Sequence, residues 1–178
     1  MIVVDSREKK WEHIREYFDK HEIPYEFPHK LDEGDYVNTD NPSVVIDRKA
    51  NLQEICGNLQ VGNGNIIRFT KECRRAYQRH KRFVVLIEGT NVRNMGDLKG
   101  WQSKYSKHTG SWLAKKMFEL TVTYDVEWVF CKKNETAEKI LQITGYANGK
   151  TNNVCIQDKE QEDGAGNNDV GRIASKSD

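Results

Sequence analysis

No apolar run in this chain approaches the ~20 residues that a membrane-spanning helix needs, which argues against a membrane protein. Met1 is followed by only three apolar residues before Asp5, too few for the core of a signal peptide. Paired cysteines are also missing. Cys56, Cys73, Cys131 and Cys155 lie far apart with no C-x-x-C spacing, so reduced thiols are expected rather than disulfides or a zinc site. A large net charge is absent as well, since 28 Lys and Arg balance 27 Asp and Glu to +1. Bulk charge therefore selects no partner, and no internal repeat suggests a solenoid.

The local distribution is more informative. Residues 151–178 hold six acids against three bases and are rich in Asn and Gly. Such a composition does not build a core, so 149–178 is read as a disordered tail and 1–148 as one domain, the first 150 residues carrying about +4. Apolar runs at Ile2-Val3-Val4, Val44-Val45-Ile46, Phe83 to Ile87 and Val126 to Phe130 predict strands, as does Tyr25 to Phe27. Gly34 to Val37 and Val44 to Ile46, joined by Asp40-Asn41-Pro42, read as a hairpin. Helical spacing predicts helices from about Glu8 to Lys20, Asn51 to Leu59, Ile66 to His80, Trp112 to Leu120 and Glu135 to Ile143. Residues 62–65 and 90–110 read as loops. Alternating strands and helices indicate an α/β fold.

Three acids stand at predicted strand ends: Asp5, Asp35 and Asp47. Residues two apart on a strand share a face, so Asp47 and Lys49 project together while Arg48 points away. Two carboxylates suit a hard cation such as Mg²⁺, which keeps several waters and takes phosphate oxygens. Its bound water becomes a nucleophile near neutral pH, and a lysine beside it holds phosphate or water as a point charge. Each piece has a plainer reading. Asp5-Ser6-Arg7-Glu8 also fits a helix capping box, Gly34-Asp35-Tyr36 a turn, and Asp47-Arg48-Lys49 a charged strand end. Their joint order lifts the chemical reading.

That order, Asp5-Ser6-Arg7-Glu8, Gly34-Asp35-Tyr36, then Val45-Ile46-Asp47-Arg48-Lys49, resembles the nuclease domain of XPF-type structure-specific endonucleases, with motifs D-x-R-E, G-D-Y and V-E-R-K. The resemblance continues through Glu54 to Leu59, Arg68-Phe69, Val84 to Gly89 and Glu135-Thr136-Ala137, covering about residues 1–145. It implies a restriction-endonuclease-like PD-(D/E)xK core, a mixed central β-sheet flanked by helices. It also implies a hydrolase that cuts branched, flapped or single-strand-containing DNA with Mg²⁺ or Mn²⁺. Asp35 and Asp47 would be metal ligands, Lys49 the catalytic lysine, and Asp5 part of the acidic cluster. Arg7, Glu8, Arg48 and Arg68 would line the site or hold substrate, and Glu88 would be either supporting or structural.

Asp47 departs from the family's Glu, a shortening that the wider superfamily tolerates. Ala50 reads as an insertion, the loop Gln60 to Asn65 is long, and no tandem helix-hairpin-helix pattern follows. Two segments are candidates for the missing grip on DNA. One is the helix face with Arg68, Arg75, Arg79 and Arg82, for which a solvated face is the plain alternative. The other is Lys99 to Lys116, which has five lysines, no acid, and interleaved aromatics. There Trp101, Lys104 and Tyr105 are the candidate contacts, and Trp112 is assigned to the core. The resemblance further suggests a homodimer through the nuclease domain, and a cytoplasmic, nucleoid or nuclear setting according to source. Two alternatives stay open: a non-catalytic DNA-binding or dimer-partner subunit on the same fold, and another PD-(D/E)xK nuclease of the restriction or recombination type.

Overall fold

The computed structural model describes residues 1–28, 30–61 and 64–147; the acidic tail, with Cys155, lies outside them, as do Gly62 and Asn63 of the expected loop. The strands are β1 (Ile2–Val4), β2 (Tyr25–Glu26), β3 (Tyr36–Asn38), β4 (Asn41–Lys49), β5 (Arg82–Ile87) and β6 (Glu127–Phe130). They form one sheet in the order β2-β1-β3-β4-β5-β6. Neighbours β1, β3 and β4 pair antiparallel, whereas β4, β5 and β6 pair parallel, as do β1 and β2. The sheet is therefore mixed, as expected. β5 is covered on both faces, which explains its unbroken apolar run.

The helices are α1 (Glu12–Lys20), α2 (Leu52–Leu59), α3 (Asn65–Gln78), α4 (Gly110–Tyr124) and α5 (Thr136–Ile143). Strand alternation sorts the core into two clusters. Val45, Val85 and Ile87 face Leu52, Phe69 and Met117 of α2, α3 and α4. Ile46, Val84 and Leu86 face Ile14, Phe18 and Ile140 of α1 and α5. Cys56, Cys73 and Cys131 are buried free thiols. Among the described residues no helix is long and apolar enough to cross a membrane.

Four local expectations are corrected. β4 starts at Asn41, so the hairpin turn is Thr39-Asp40 and Pro42 lies within the strand. Helix α1 begins at Glu12, not Glu8, with Trp11 at its N-cap and no side-chain cap, so Asp5 caps no helix. The stretch 90–110 contains a 3₁₀ turn at Met95–Gly100, capped by Asn94 and Asp97. Trp112 is half-buried rather than fully in the core, with His108 stacked on it at 3.7 Å.

Candidate active site

The ends of β1 and β4 meet around Gly34-Asp35. Gly34 has φ +67°, and a Cβ there would strike the Val45 side chain and lie 2.6 Å from the Ile46 carbonyl oxygen. Only glycine permits both the left-handed backbone and the close approach. The turn is then fixed on every side. Asp35 N–H donates to the Ile46 carbonyl (2.7 Å), and Asp5 N–H donates to the Asp35 carbonyl (2.8 Å). Arg48 N–H donates to Asp35 Oδ2 (2.8 Å), and Gly34 N–H donates to Glu72 Oε1 on α3 (2.7 Å).

Strand alternation divides the Asp47-Arg48-Lys49 tripeptide. Asp47 and Lys49 lie on the α2/α3 side, where Lys49 Nζ sits 2.5 Å from Asp47 Oδ2 as an ion pair without directed hydrogen-bond geometry. The ammonium also lies over the Phe69 ring, 5.4 Å from its centroid. Burial lowers the affinity of Lys49 for its proton, but the charges of Asp47 and Asp35 outweigh it and raise the pKa, so Lys49 stays an ammonium. Burial, then the charges of Asp47 and Glu8, push Asp35 well above the ordinary carboxylate range, against Lys49 and the Arg48 N–H. Glu72 is raised by burial and by Asp47 in the same way, against the Gly34 N–H, Lys49 and Arg75. Glu72 is the site residue that sequence reasoning missed. The available signal was its being the one acid among seven basic residues between Asn65 and Arg82.

Asp5 is brought beside Asp35 in the backbone, yet its carboxylate is already engaged by four donors. Arg7 N–H (2.7 Å) and Nε (2.9 Å) reach Oδ1, while Arg7 Nη2 (2.8 Å) and Leu31 N–H (2.7 Å) reach Oδ2. Burial opposes ionisation, but these donors together hold its pKa below the usual value. Asp5 thus anchors the turn after β1 and the segment at Leu31. Arg7 remains half-exposed at the site's edge.

Two expected substrate contacts are corrected. Arg48 turns to the α1/α5 side and is only 7% exposed. Its guanidinium donates to Glu8 Oε1 (2.5 Å), Glu88 Oε1 (2.5 Å) and the Lys9 carbonyl (2.8 Å). Glu8 also accepts from Tyr36 Oη (3.1 Å). With their polar atoms spent inside, Arg48 and Glu8 do not reach a ligand in solvent. Glu88 is structural in the same way, taking Thr136 Oγ1 (2.7 Å) and His13 Nε2 (2.8 Å) on its second oxygen.

The basic face of α3 stays about half exposed while it makes ion pairs. Arg75 and Arg79 pair with buried Glu33, at 3.5 and 2.7 Å, and Arg82, just beyond the helix, pairs twice with Glu127 at 2.7 Å. Arg68 stays exposed. Trp101, Lys104 and Tyr105 line one cleft of about 760 Å³, together with the start of α2 and Gly89 to Asn91.

Among the described residues no set of three or more His, Cys, Asp or Glu is arranged to enclose a cation. Mg²⁺ takes one or two carboxylates and completes its shell with water and phosphate. Asp35 and Asp47 are the pair with the right donor chemistry. The repulsion that raises Asp35 and Glu72 beside Asp47 is what a divalent cation would relieve.

Comparison with known proteins gives the family. Residues 4–143 match the ERCC4 domain. No curated protein sequence matches the chain. Among solved structures it is similar to XPF from Aeropyrum pernix, with 17% identity and a TM-score of 0.59 over 80% of this chain and 62% of that chain. It is also similar to XPF from Aeropyrum pernix in complex with DNA, with 16% identity and a TM-score of 0.60 over 84% of this chain and 68% of that one. The chain thus spans 62% of the length of the first of these structures. The fold, the motif order and the family match agree: this chain belongs to the ERCC4 domain family and carries an XPF-type nuclease domain.

Proposed function

We propose that the chain is a metal-dependent endonuclease that hydrolyses phosphodiester bonds in branched, flapped or single-strand-containing DNA. The observation that carries this reading is the convergence of Asp35, Asp47 and Lys49 at the end of β4, where Lys49 pairs with Asp47 and both carboxylates act on it. Asp35 and Asp47 would hold Mg²⁺ or Mn²⁺. When bound, such an ion supplies an acidified water and offsets charge developing on the phosphate. Lys49, kept protonated by its two carboxylates, orients the water or the scissile phosphate. Exposed Arg7 and Arg68 meet backbone phosphates, contacts that position DNA without reading its sequence. Asp5 acts through the Arg7 and Leu31 segments that it ties down. The similar structure solved in complex with DNA supports DNA as what the chain binds. The reading includes two copies paired through the nuclease domain, which sedimentation with and without DNA tests, and it places the protein wherever that DNA is held.

The deciding experiment is cleavage of labelled flap, fork and linear duplex DNA with Mg²⁺, Mn²⁺ or EDTA, wild type beside Asp47→Ala. Metal-dependent cutting of branched DNA by wild type alone is the expected result. Equal cutting of linear duplex removes the preference for branched DNA but keeps the chemistry. DNA binding without cutting under any metal establishes a non-catalytic subunit instead.

A further inference from the structure

A cleft of about 760 Å³ opens beyond the carboxyl ends of the parallel strands β4 and β5, where Lys49 pairs with Ile87. In open α/β sheets this is where ligands bind. One side is the chain leaving β4, from Asn51 to Glu54, and the other is the chain leaving β5, from Gly89 to Asn91. The far wall is the loop carrying Trp101, Lys104 and Tyr105. Asn51 is only two residues from Lys49, so the cleft adjoins the candidate active site where the chain leaves β4 for α2.

The wall is built rather than left loose. Gln53 on α2 clasps it through both ends of its amide: Nε2 donates to Ser103 Oγ (2.9 Å), and Oε1 accepts from Lys104 N–H (2.9 Å). Across the loop, Gln102 bridges to Thr109, and Ser103 N–H donates to the His108 carbonyl (3.0 Å). Gly110 N–H donates to the Trp101 carbonyl (2.7 Å). A Cβ at Gly110 would collide with the Leu98 carbonyl, so the loop's far end is seated on the preceding 3₁₀ turn. This fastening holds Tyr105 out in solvent, where it is 84% exposed, a position that core packing does not explain.

The charges of the cleft are separated. Its one cation, Lys104, belongs to the wall, and its one anion, Glu54, lies at the chain leaving β4, accepting from Ala50 N–H at 2.8 Å. A phosphate is drawn to the wall and repelled from the Glu54 side. A flat base, with π faces and edge N–H groups, suits aromatics on one side and amides with a carboxylate on the other.

We infer that this cleft is a subsite for one unpaired DNA nucleotide beside the scissile phosphate, its base turned inward against Trp101 and Tyr105 and its phosphate on Lys104. The inference rests on the nuclease reading above and adds a place where single-stranded character is sensed. A duplex cannot offer such a base, because its faces are stacked and its edges paired.

The test walks a single abasic site through the first unpaired nucleotides of a fork. One position is expected to lower kcat/KM for wild type about tenfold, within what stacking one base is worth. Tyr105→Ala is expected to cut intact fork at about that reduced rate and to be indifferent to the same abasic site. A second readout needs no catalysis: 2-aminopurine at that position changes fluorescence on binding wild type in EDTA, and the change is lost with Gln53→Ala and Tyr105→Ala. Cutting that depends on metal but ignores every abasic position, with no 2-aminopurine response, overturns the subsite and leaves the nuclease reading standing. A 2-aminopurine response without cutting under any metal does the reverse.

Discussion

The two faces of β4 carry similar side chains to opposite ends. On the α1/α5 face, Arg48 lies between Glu8 and Glu88, and every one of these groups meets at least two partners. On the α2/α3 face, Asp47, Asp35 and Glu72 gather around the Lys49 ammonium, with Arg75 and Arg7 acting on them from the edge, and burial and the charge of Asp47 raise the proton affinity of Asp35 and Glu72. The first face is closed and fixes the strand; on the second, burial and neighbouring carboxylates hold Asp35 and Glu72 above the ordinary carboxylate range despite the cations beside them. Residue type does not separate a structural carboxylate from a chemical one here. What separates them is whether their donors are already supplied by the fold.

Breaking the closed face should do the greatest damage. Arg48→Met leaves Glu8 and Glu88 buried without their main partner, a change that typically costs about 3–5 kcal/mol. Urea unfolding of the metal-free protein measures it, and a loss below about 1 kcal/mol would show that Arg48 does not hold the strand. Breaking the open face should instead spare the fold. Asp47→Ala is expected to lower metal-dependent cutting by at least ~10²-fold, the scale of one preorganised electrostatic group. Its urea midpoint is expected to stay near that of wild type. A variant that both unfolds and stops cutting would place Asp47 with the structural group.

The division was partly legible beforehand. The two-residue period of a strand separates Asp47 and Lys49 from Arg48 with no knowledge of the fold, and the glycine before Asp35 marks the turn that delivers it. The partners were not legible. Glu8 and Glu88 each reach Arg48 across 40 residues, His13 reaches Glu88 across 75, and Arg75 and Arg79 find Glu33 from more than 40 residues away. A basic helix face looks the same in sequence whether its charges meet DNA or a buried glutamate. Asp5 was open to two readings, and the late start of α1 removed the helix cap while leaving the carboxylate bound to Arg7 and Leu31.

Glu72 joins both roles and sharpens the contrast by a smaller amount. Glu72→Ala takes the acceptor from the Gly34 N–H, which should cost about 1–3 kcal/mol if that group stays dry. Glu72→Gln keeps an oxygen for the same bond but removes the charge, so it should restore stability while weakening Mn²⁺ binding measured by calorimetry. Equal stability for both variants would mean that the bond to Gly34 does not hold the Asp35 turn.

The smallest expected effect has the opposite sign. Burial, Asp47 and Glu8 raise the pKa of Asp35 in the folded protein above its unfolded value. The folded state therefore binds more protons than the unfolded one from the ordinary carboxylate range upward, and Asp35's contribution to stability declines as pH rises through that window. Asp35→Asn retains an oxygen for the Arg48 N–H and carries no charge. In EDTA at pH 7–8 it should be more stable than wild type by about 1–2 kcal/mol, or roughly 2–8 °C in Tm. The gain should shrink on acidification, as the wild-type carboxyl takes up its proton. Mg²⁺ should raise the Tm of wild type and leave the variant nearly unmoved, since the cation relieves only a repulsion that is present. A variant that melts below wild type in EDTA at pH 8 would mean that the open face is not strained by its own charge.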